Sequence, residues 1–250
     1  MKTLMSHNSI INTKKKIIIL GATSGIGREL ARIYVKENHK VGITGRRIQL
    51  LEELKKEDNN FIIKPFDITK TNEVTKYLDE LSNELNGVDL VIVCSGTGEL
   101  NSNLDFSIEK LTIETNIIGF TCVCDWALNY FERQGSGHLV GITSVAGVRG
   151  NKEAPSYYAS KSYQMNYLEG LRQKAISLKK PVYITDIRPG LVDTDMAKGE
   201  GLFWVTSVER TGKDIYKAIK NRKKIAYITK RWRLVYEFLK RIPNVIYEKM

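Results

Sequence analysis

Cysteine is scarce in this chain of 250 residues, with only Cys94, Cys122 and Cys124. The number is odd and no Cys-x-x-Cys pair occurs. That argues against a disulfide framework or a zinc site, and for a reducing compartment, the cytoplasm. No cluster of metal ligands stands out in the sequence, so no metal is expected. The stretch from Met1 to Thr13 is polar and has no apolar core segment, so it does not read as a signal peptide. No run of 18 apolar residues occurs, so no helix is expected to cross a membrane. There is also no internal break or low-complexity linker.

What is present is an ordinary globular balance, with 42% apolar and 27% charged residues. The net charge of +11 is uneven. Residues 1–20 hold four lysines and no acid, and residues 213–250 hold twelve Lys or Arg against three acids. The middle is close to neutral. A nucleic-acid groove across the fold is therefore not expected, because it would need a basic stripe interleaved with aromatics. The chain reads as one domain over 1–250: a flexible tail at 1–13, an α/β body at 14–212 and a basic extension at 213–250.

Lys14 to Leu20 reads KKKIIIL, a short β-branched run that fits a strand buried on both faces of a parallel sheet. Gly21-Ala22-Thr23-Ser24-Gly25-Ile26-Gly27 follows, and then a helical pattern begins. Strand, glycine-rich turn and helix together make a phosphate site. Glycines let the backbone approach a pyrophosphate, and the helix N-terminus offers unpaired N–H groups. The same pattern is also compatible with a tight turn that binds nothing. The next strand, Lys40 to Thr44, ends in Gly45-Arg46-Arg47. An acid in that region would hold a ribose 2′-hydroxyl, whereas guanidinium groups suit a 2′-phosphate. NADP(H) is therefore expected over NAD(H), unless Arg46 and Arg47 merely open a solvated helix.

Further strands are expected at Phe61–Phe66, Val88–Val93, His138–Ser144 and Val182–Ile187. Helices are expected at Ile48–Lys56, Thr71–Leu85 and Thr112–Tyr130, with another running on from Tyr157. The repeated βα order implies a doubly wound parallel sheet, a Rossmann fold with helices on both faces. Ligands bind at the carboxyl ends of such strands. The glycine loop, Arg46, Asp67, Ser95, Ser144 and Gly190 all fall there.

Tyr157 and Lys161 stand one helical turn apart. A cation beside a phenol lowers its pKa, and a shift of ~2–3 units needs ~3–4 kcal/mol. The pair reads as a proton-transfer device if a second cation assists.

On the glycine pattern, Asn116, Ser144, Tyr157 with Lys161, and Pro189-Gly190-Leu191-Val192-Asp193-Thr194, the chain resembles the short-chain dehydrogenase/reductase family over about residues 15–195. The resemblance implies that Tyr157 is the general acid or base, that Lys161 holds the nicotinamide ribose, and that Ser144 binds the substrate oxygen. It implies that Asn116 holds a water linking Lys161 to solvent. Asp67 and Ile68, with Ser95 and Gly96, would border the adenosine half. Ile187, Pro189, Gly190, Val192 and Thr194 would frame the nicotinamide. Leu20 and Cys94-Ser95-Gly96 depart from the family's usual Thr and Asn-Ala-Gly, and Ser24 stands where some NADP-dependent members carry a basic residue. The implied activity is hydride transfer between NADP(H) and a small-molecule carbonyl or alcohol, with a homodimer or homotetramer packed on the helices Thr112–Tyr130 and Tyr157–Leu178. The alternative is a regulator that binds NADP(H) without catalysis. Met196 to Trp204 reads as a substrate lid for an apolar compound, or as side chains that pack into the core. The segment Lys230–Tyr247 places Val235, Phe238, Leu239, Ile242 and Ile246 on one helical face amid cations. It suits packing on the body or a second subunit, peripheral contact with an anionic membrane, or a partner protein.

Overall fold

The apolar run Lys16–Leu20 forms β1, and its alternate residues enter two different cores. Ile18 and Leu20 face one layer of helices, while Ile17 and Ile19 face the other. That double burial is why the run shows no polar alternation. The computed structural model describes residues 14–195 and 203–250. The expected tail at 1–13, and the part of the expected lid at 196–202, lie outside the described residues.

After β1 come α1 (Gly25–Lys36), β2 (Lys40–Gly45), α2 (Ile48–Glu57), β3 (Phe61–Pro65), α3 (Thr71–Leu85) and β4 (Leu90–Val93). The second half holds α4 (Phe106–Ile113), α5 (Phe120–Gln134), β5 (Gly137–Ile142), α6 (Pro155–Ser177) and β6 (Val182–Pro189). Then follow α7 (Val208–Lys220), β7 (Ile225–Ile228), α8 (Trp232–Arg241) and α9 (Asn244–Tyr247). The sheet order is β3-β2-β1-β4-β5-β6-β7, and every pairing is parallel. Strand order reverses between β1 and β4. That leaves a crevice at their carboxyl ends, where ligands of doubly wound sheets bind. Buried residues of α3, α5 and α6 cover one face, and those of α1, α2 and α7 the other.

Two departures from the sequence reading matter for the site. The helix expected at Thr112–Tyr130 is longer and not uniform. It runs from α4 to α5 through a π-helical turn, Glu114–Gly119, which contains Asn116. Such wider turns cluster at functional positions. The α/β body also does not stop at residue 212, because α7 and β7 complete the sheet, with β7 paired from Asp186↔Ile225 to Pro189↔Ile228. β7 escaped the sequence reading because it is a four-residue edge strand inside the basic run, with its first residue, Ile225, exposed.

Candidate functional site

Glycine at Gly21 and Gly27 is required by how close the backbone comes. A methyl group on Gly21, which sits at φ +81°, would fall 2.6 Å from the Ser95 amide nitrogen. One on Gly27 would fall 2.2 Å from the Gly21 carbonyl oxygen. These contacts pull the start of α1 against the ends of β1 and β4. Ser24, the residue before the helix, makes no side-chain cap. The first N–H groups of α1 are therefore left facing the crevice, as an anion site needs.

A cleft of about 990 Å3 runs along this sheet edge. Thr23, Ser24, Gly25, Ile26, Arg46, Arg47, Asp67, Ile68, Ser95 and Gly96 line it. Ser144, Tyr157, Lys161, Pro189, Gly190, Val192 and Thr194 line the same cleft, with Thr194 beside Gly25 and Lys161 beside Gly96. Of the residues singled out in the sequence, Asn116 and Ile187 do not line the cleft and are fully buried behind it. The Arg47 guanidinium donates to the Thr23 hydroxyl at 2.8 Å and the Ser24 hydroxyl at 2.9 Å, so it lies across the glycine loop. Arg46 stays largely in solvent, 3.9 Å from the Asp67 carboxylate. Asp67 itself accepts from the Thr69 amide and hydroxyl, a local turn that fixes its direction.

Pro155 opens α6, a position where its missing N–H costs nothing. Tyr157 follows in the first turn, with its ring seated on Gly98. A methyl group on Gly98 would fall 2.3 Å from that ring, so Gly98 is a site residue the sequence reading missed. The Lys161 ammonium nitrogen lies 5.8 Å from the Tyr157 ring centre. Ser144, at the end of β5, turns its hydroxyl to accept from the Ala146 amide at 3.1 Å.

The electrostatics differ from the sequence expectation. Burial pushes the Tyr157 phenol above its ordinary pKa, and the neighbouring Ser144 hydroxyl only opposes this. Burial thus holds the phenol protonated rather than activated. Burial also lowers Lys161 to about 8, against the pull of Cys94 and Asp186. The Cys94 thiol is itself pushed up to about 12 by burial, so it is no nucleophile at neutral pH.

Asn116 is held by hydrogen bonds on every side. Its side chain is fully used: Oδ1 accepts from the Thr97 amide at 2.9 Å, while Nδ2 donates to the Thr97 carbonyl at 2.7 Å and the Ser160 hydroxyl at 3.0 Å. Its backbone carbonyl accepts from the Gln164 side chain at 2.8 Å, and Gln164 Oε1 in turn accepts from Lys161 at 3.1 Å. A side-chain amide thus joins Asn116 to Lys161, the two residues that the resemblance links through a water. The available signal was a polar residue four positions before Leu168, inside an otherwise apolar helical stripe.

A second buried network was also missed. Asp186 accepts from the Thr143 hydroxyl at 2.6 Å and from Arg188 Nε at 2.7 Å. Arg188 then stacks on Tyr227 and Tyr236, which ties β5, β6 and β7 to α8. Next to it Trp232 closes over Gly190, where a methyl group would fall 2.1 Å from the indole. Arg149 bonds the Ile242 carbonyl at 3.1 Å and Asn244 at 2.9 Å. Together these contacts make the C-terminal helices one wall of the cleft, through Val235, Leu239 and Tyr247. Among the described residues no group of three or more His, Cys, Asp or Glu is placed to hold a metal.

Fold and site together define a doubly wound α/β protein with a glycine-rich loop at its switch point and a Tyr–Lys pair across the same cleft. Residues 15–202 match the family model described as short chain dehydrogenase. The chain is 34% identical over 193 residues to an uncharacterized oxidoreductase of Mycobacterium tuberculosis, covering 74% of this chain and 76% of that one. It is also 34% identical over 185 residues to an uncharacterized oxidoreductase of Staphylococcus haemolyticus, covering 72% and 79%. The chain belongs to the short-chain dehydrogenase family. Among solved structures, the fold resembles one described as ElxO with NADP bound, with a TM-score of 0.76 at 19% identity over 86% of this chain and 97% of that one. It also resembles a short-chain type dehydrogenase/reductase from Mycobacterium ulcerans, with a TM-score of 0.74 at 22% identity, covering 85% and 87%.

Proposed function

We propose that this protein is an oxidoreductase that moves a hydride between NADP(H) and an apolar carbonyl or alcohol. The observation that carries this is the convergence of Tyr157, Ser144 and Lys161 on one cleft that the glycine loop and two arginines also line. The backbone cradle at Gly21 and Gly27 and the open start of α1 suit a pyrophosphate, and Arg46 and Arg47 suit a 2′-phosphate. The bound nicotinamide would supply the hydride. The NADP named for the ElxO structure fits the same reading.

In this reading Ser144 donates to the substrate oxygen as negative charge grows on it. Tyr157, kept protonated by burial, hands its phenolic proton to that oxygen in reduction and takes it back in oxidation. Lys161 remains an ammonium near neutral pH and steadies the phenolate left behind. Val145, Val148, Phe203, Val235 and Leu239 also line the cleft, which favours an apolar compound. Screening carbonyl compounds for consumption of NADPH tests the reading. At least one apolar aldehyde or ketone is expected to be reduced. Tight NADPH binding with no compound consumed would instead favour a regulator that binds the cofactor without catalysis.

The outer side of the C-terminal helices supports a further part of the proposal. Leu234, Phe238, Val245 and Ile246 are exposed, while Lys230, Arg231, Arg233, Lys240 and Arg241 surround them. Apolar side chains ringed by cations match an anionic bilayer surface, at about 1 kcal/mol per cation near the lipid. Sedimentation with anionic vesicles should carry the full chain down at low salt, and much less of a Leu234→Ser, Phe238→Ser variant. Full-length protein that stays in the supernatant would overturn membrane contact. Light scattering of the vesicle-free samples tests the symmetric oligomer expected on the α4–α6 side. The mass of one 28.5 kDa chain at micromolar concentration would remove it.

A further inference from the structure

Gln164 is fully buried and has both ends of its amide engaged. Nε2 donates to the Asn116 carbonyl at 2.8 Å, and Oε1 accepts from the Lys161 ammonium at 3.1 Å. Only this orientation of the amide serves both partners, because a carbonyl must be met by an N–H and an ammonium by an oxygen. Lys161 donates a second bond to the Ile142 carbonyl at 3.3 Å. An ammonium has three donors, so one remains for the cleft that Lys161 lines.

We infer that Gln164 is a positioning residue for Lys161: its amide clamps the ammonium to the backbone carbonyl of Asn116 and aims the remaining N–H into the cleft. The inference rests on the oxidoreductase reading only for what the clamp is used for, not for its existence. Three features support a purpose beyond packing. Gln164 sits three residues after Lys161, so the two side chains share a face of α6 and the clamp is local. Its far end reaches the π-helical turn, 48 residues away in sequence, so the ammonium is referenced to a second element. An apolar residue of similar volume would satisfy the core but leave the Asn116 carbonyl and one lysine donor unpaired, which is costly in a buried site. A carboxamide also neither gains nor loses a proton near neutrality. Lys161 is therefore held by a neutral acceptor, and its proton exchange is directed toward the cleft.

The other titratable groups facing Lys161 are Tyr157 on the same helix, Cys94 at the end of β4 and Asp186 on β6. None of them is altered by changing Gln164. The sign of the effect follows directly. Oε1 stabilises the charged form of Lys161, so removing it should lower the lysine pKa further, and replacing it with a carboxylate should raise it.

The test uses the full-length protein and two variants, Gln164→Met, which keeps the volume, and Gln164→Glu. Lys161 is titrated by NMR of 13C-labelled lysine ε-carbons, with its signal assigned by its loss in Lys161→Met. The midpoint should fall by about one pH unit in Gln164→Met and rise by a similar amount in Gln164→Glu. NADPH binding by fluorescence gives a second readout. At about pH 8, near the value to which burial lowers the wild-type lysine, Gln164→Met should bind up to about fivefold more weakly. Equal midpoints in all three folded proteins would overturn the inference, as would a shift in the same direction in both variants, which would mark loosened packing. If the wild type does not bind NADPH at all, the oxidoreductase reading fails, while the lysine titration still decides the role of Gln164.

Discussion

Tyr157→Phe is expected to lower turnover of any carbonyl substrate by roughly 10²–10⁴-fold, the usual contribution of a positioned proton donor. NADPH binding should stay within about twofold. The substitution removes one hydroxyl and leaves the ring, whose seat on Gly98 is set by packing. Fold and glycine loop should therefore be untouched. Tyr158→Phe is the control: it neighbours Tyr157 in sequence but is turned about 100° around the helix, and its loss should be mild. A dead Tyr158→Phe beside an active Tyr157→Phe would overturn the assignment. The pH profile carries a second check. Burial keeps the Tyr157 proton in place through neutrality, so reduction should not fail for lack of a proton donor. Lys161, lowered to about 8, loses its charge first as pH rises. The rate of reduction should hold below that value and fall above it. A profile flat to pH 10 would remove Lys161 from the mechanism.

The second large effect concerns the cofactor. NADPH should be preferred to NADH, and Arg46→Ala and Arg47→Ala should each reduce that preference by about tenfold, with NADH use nearly unchanged in Arg46→Ala. A guanidinium–phosphate contact contributes ~1.5–3 kcal/mol, and Arg46 is given the lower end because it is mostly exposed and screened. Its 3.9 Å pairing with Asp67 is too weak to hold it away from a ligand. Arg47 is already anchored on Thr23 and Ser24, so its loss should also loosen the glycine loop and raise the KM for both cofactors somewhat. Steady-state kinetics with both cofactors on the wild type and the two variants decides this. Equal efficiency with NADH and NADPH in the wild type would overturn the preference.

Much of this protein could be read from local sequence, because the forces that write it there are local. Strands buried on both faces must be apolar at every position, so Ile17-Ile18-Ile19-Leu20 announces a central parallel strand. Thr71–Leu85 has a helical apolar stripe and forms a helix with those bounds. The glycine loop and the Tyr157–Lys161 pair depend on spacings within a single turn or helix, and the sequence carries spacing intact. Their assembly on one sheet edge follows from the rule that parallel strands all end on the same side.

What only the tertiary structure decided depends on residues far apart in the chain. β7 is short and lies at an edge, so its pairing with β6 leaves no run long enough to stand out amid lysines. The C-terminal helix is a cleft wall because Trp232 needs the bare backbone of Gly190, 42 positions earlier, and because Arg188 needs Tyr227 and Tyr236. Its expected apolar face divides: Val235 and Leu239 turn to the cleft, while Phe238 and Ile246 stay exposed. The upward push on the Tyr157 phenol comes from burial by distant elements, which outweighs the opposing hydrogen bond with Ser144. Gln164 joins Lys161 to Asn116 only because the π-helical turn brings a carbonyl from 48 residues away to the amide. Hydrogen-bond partners of a buried side chain are chosen by where the backbone passes, and no pattern within α6 records that path.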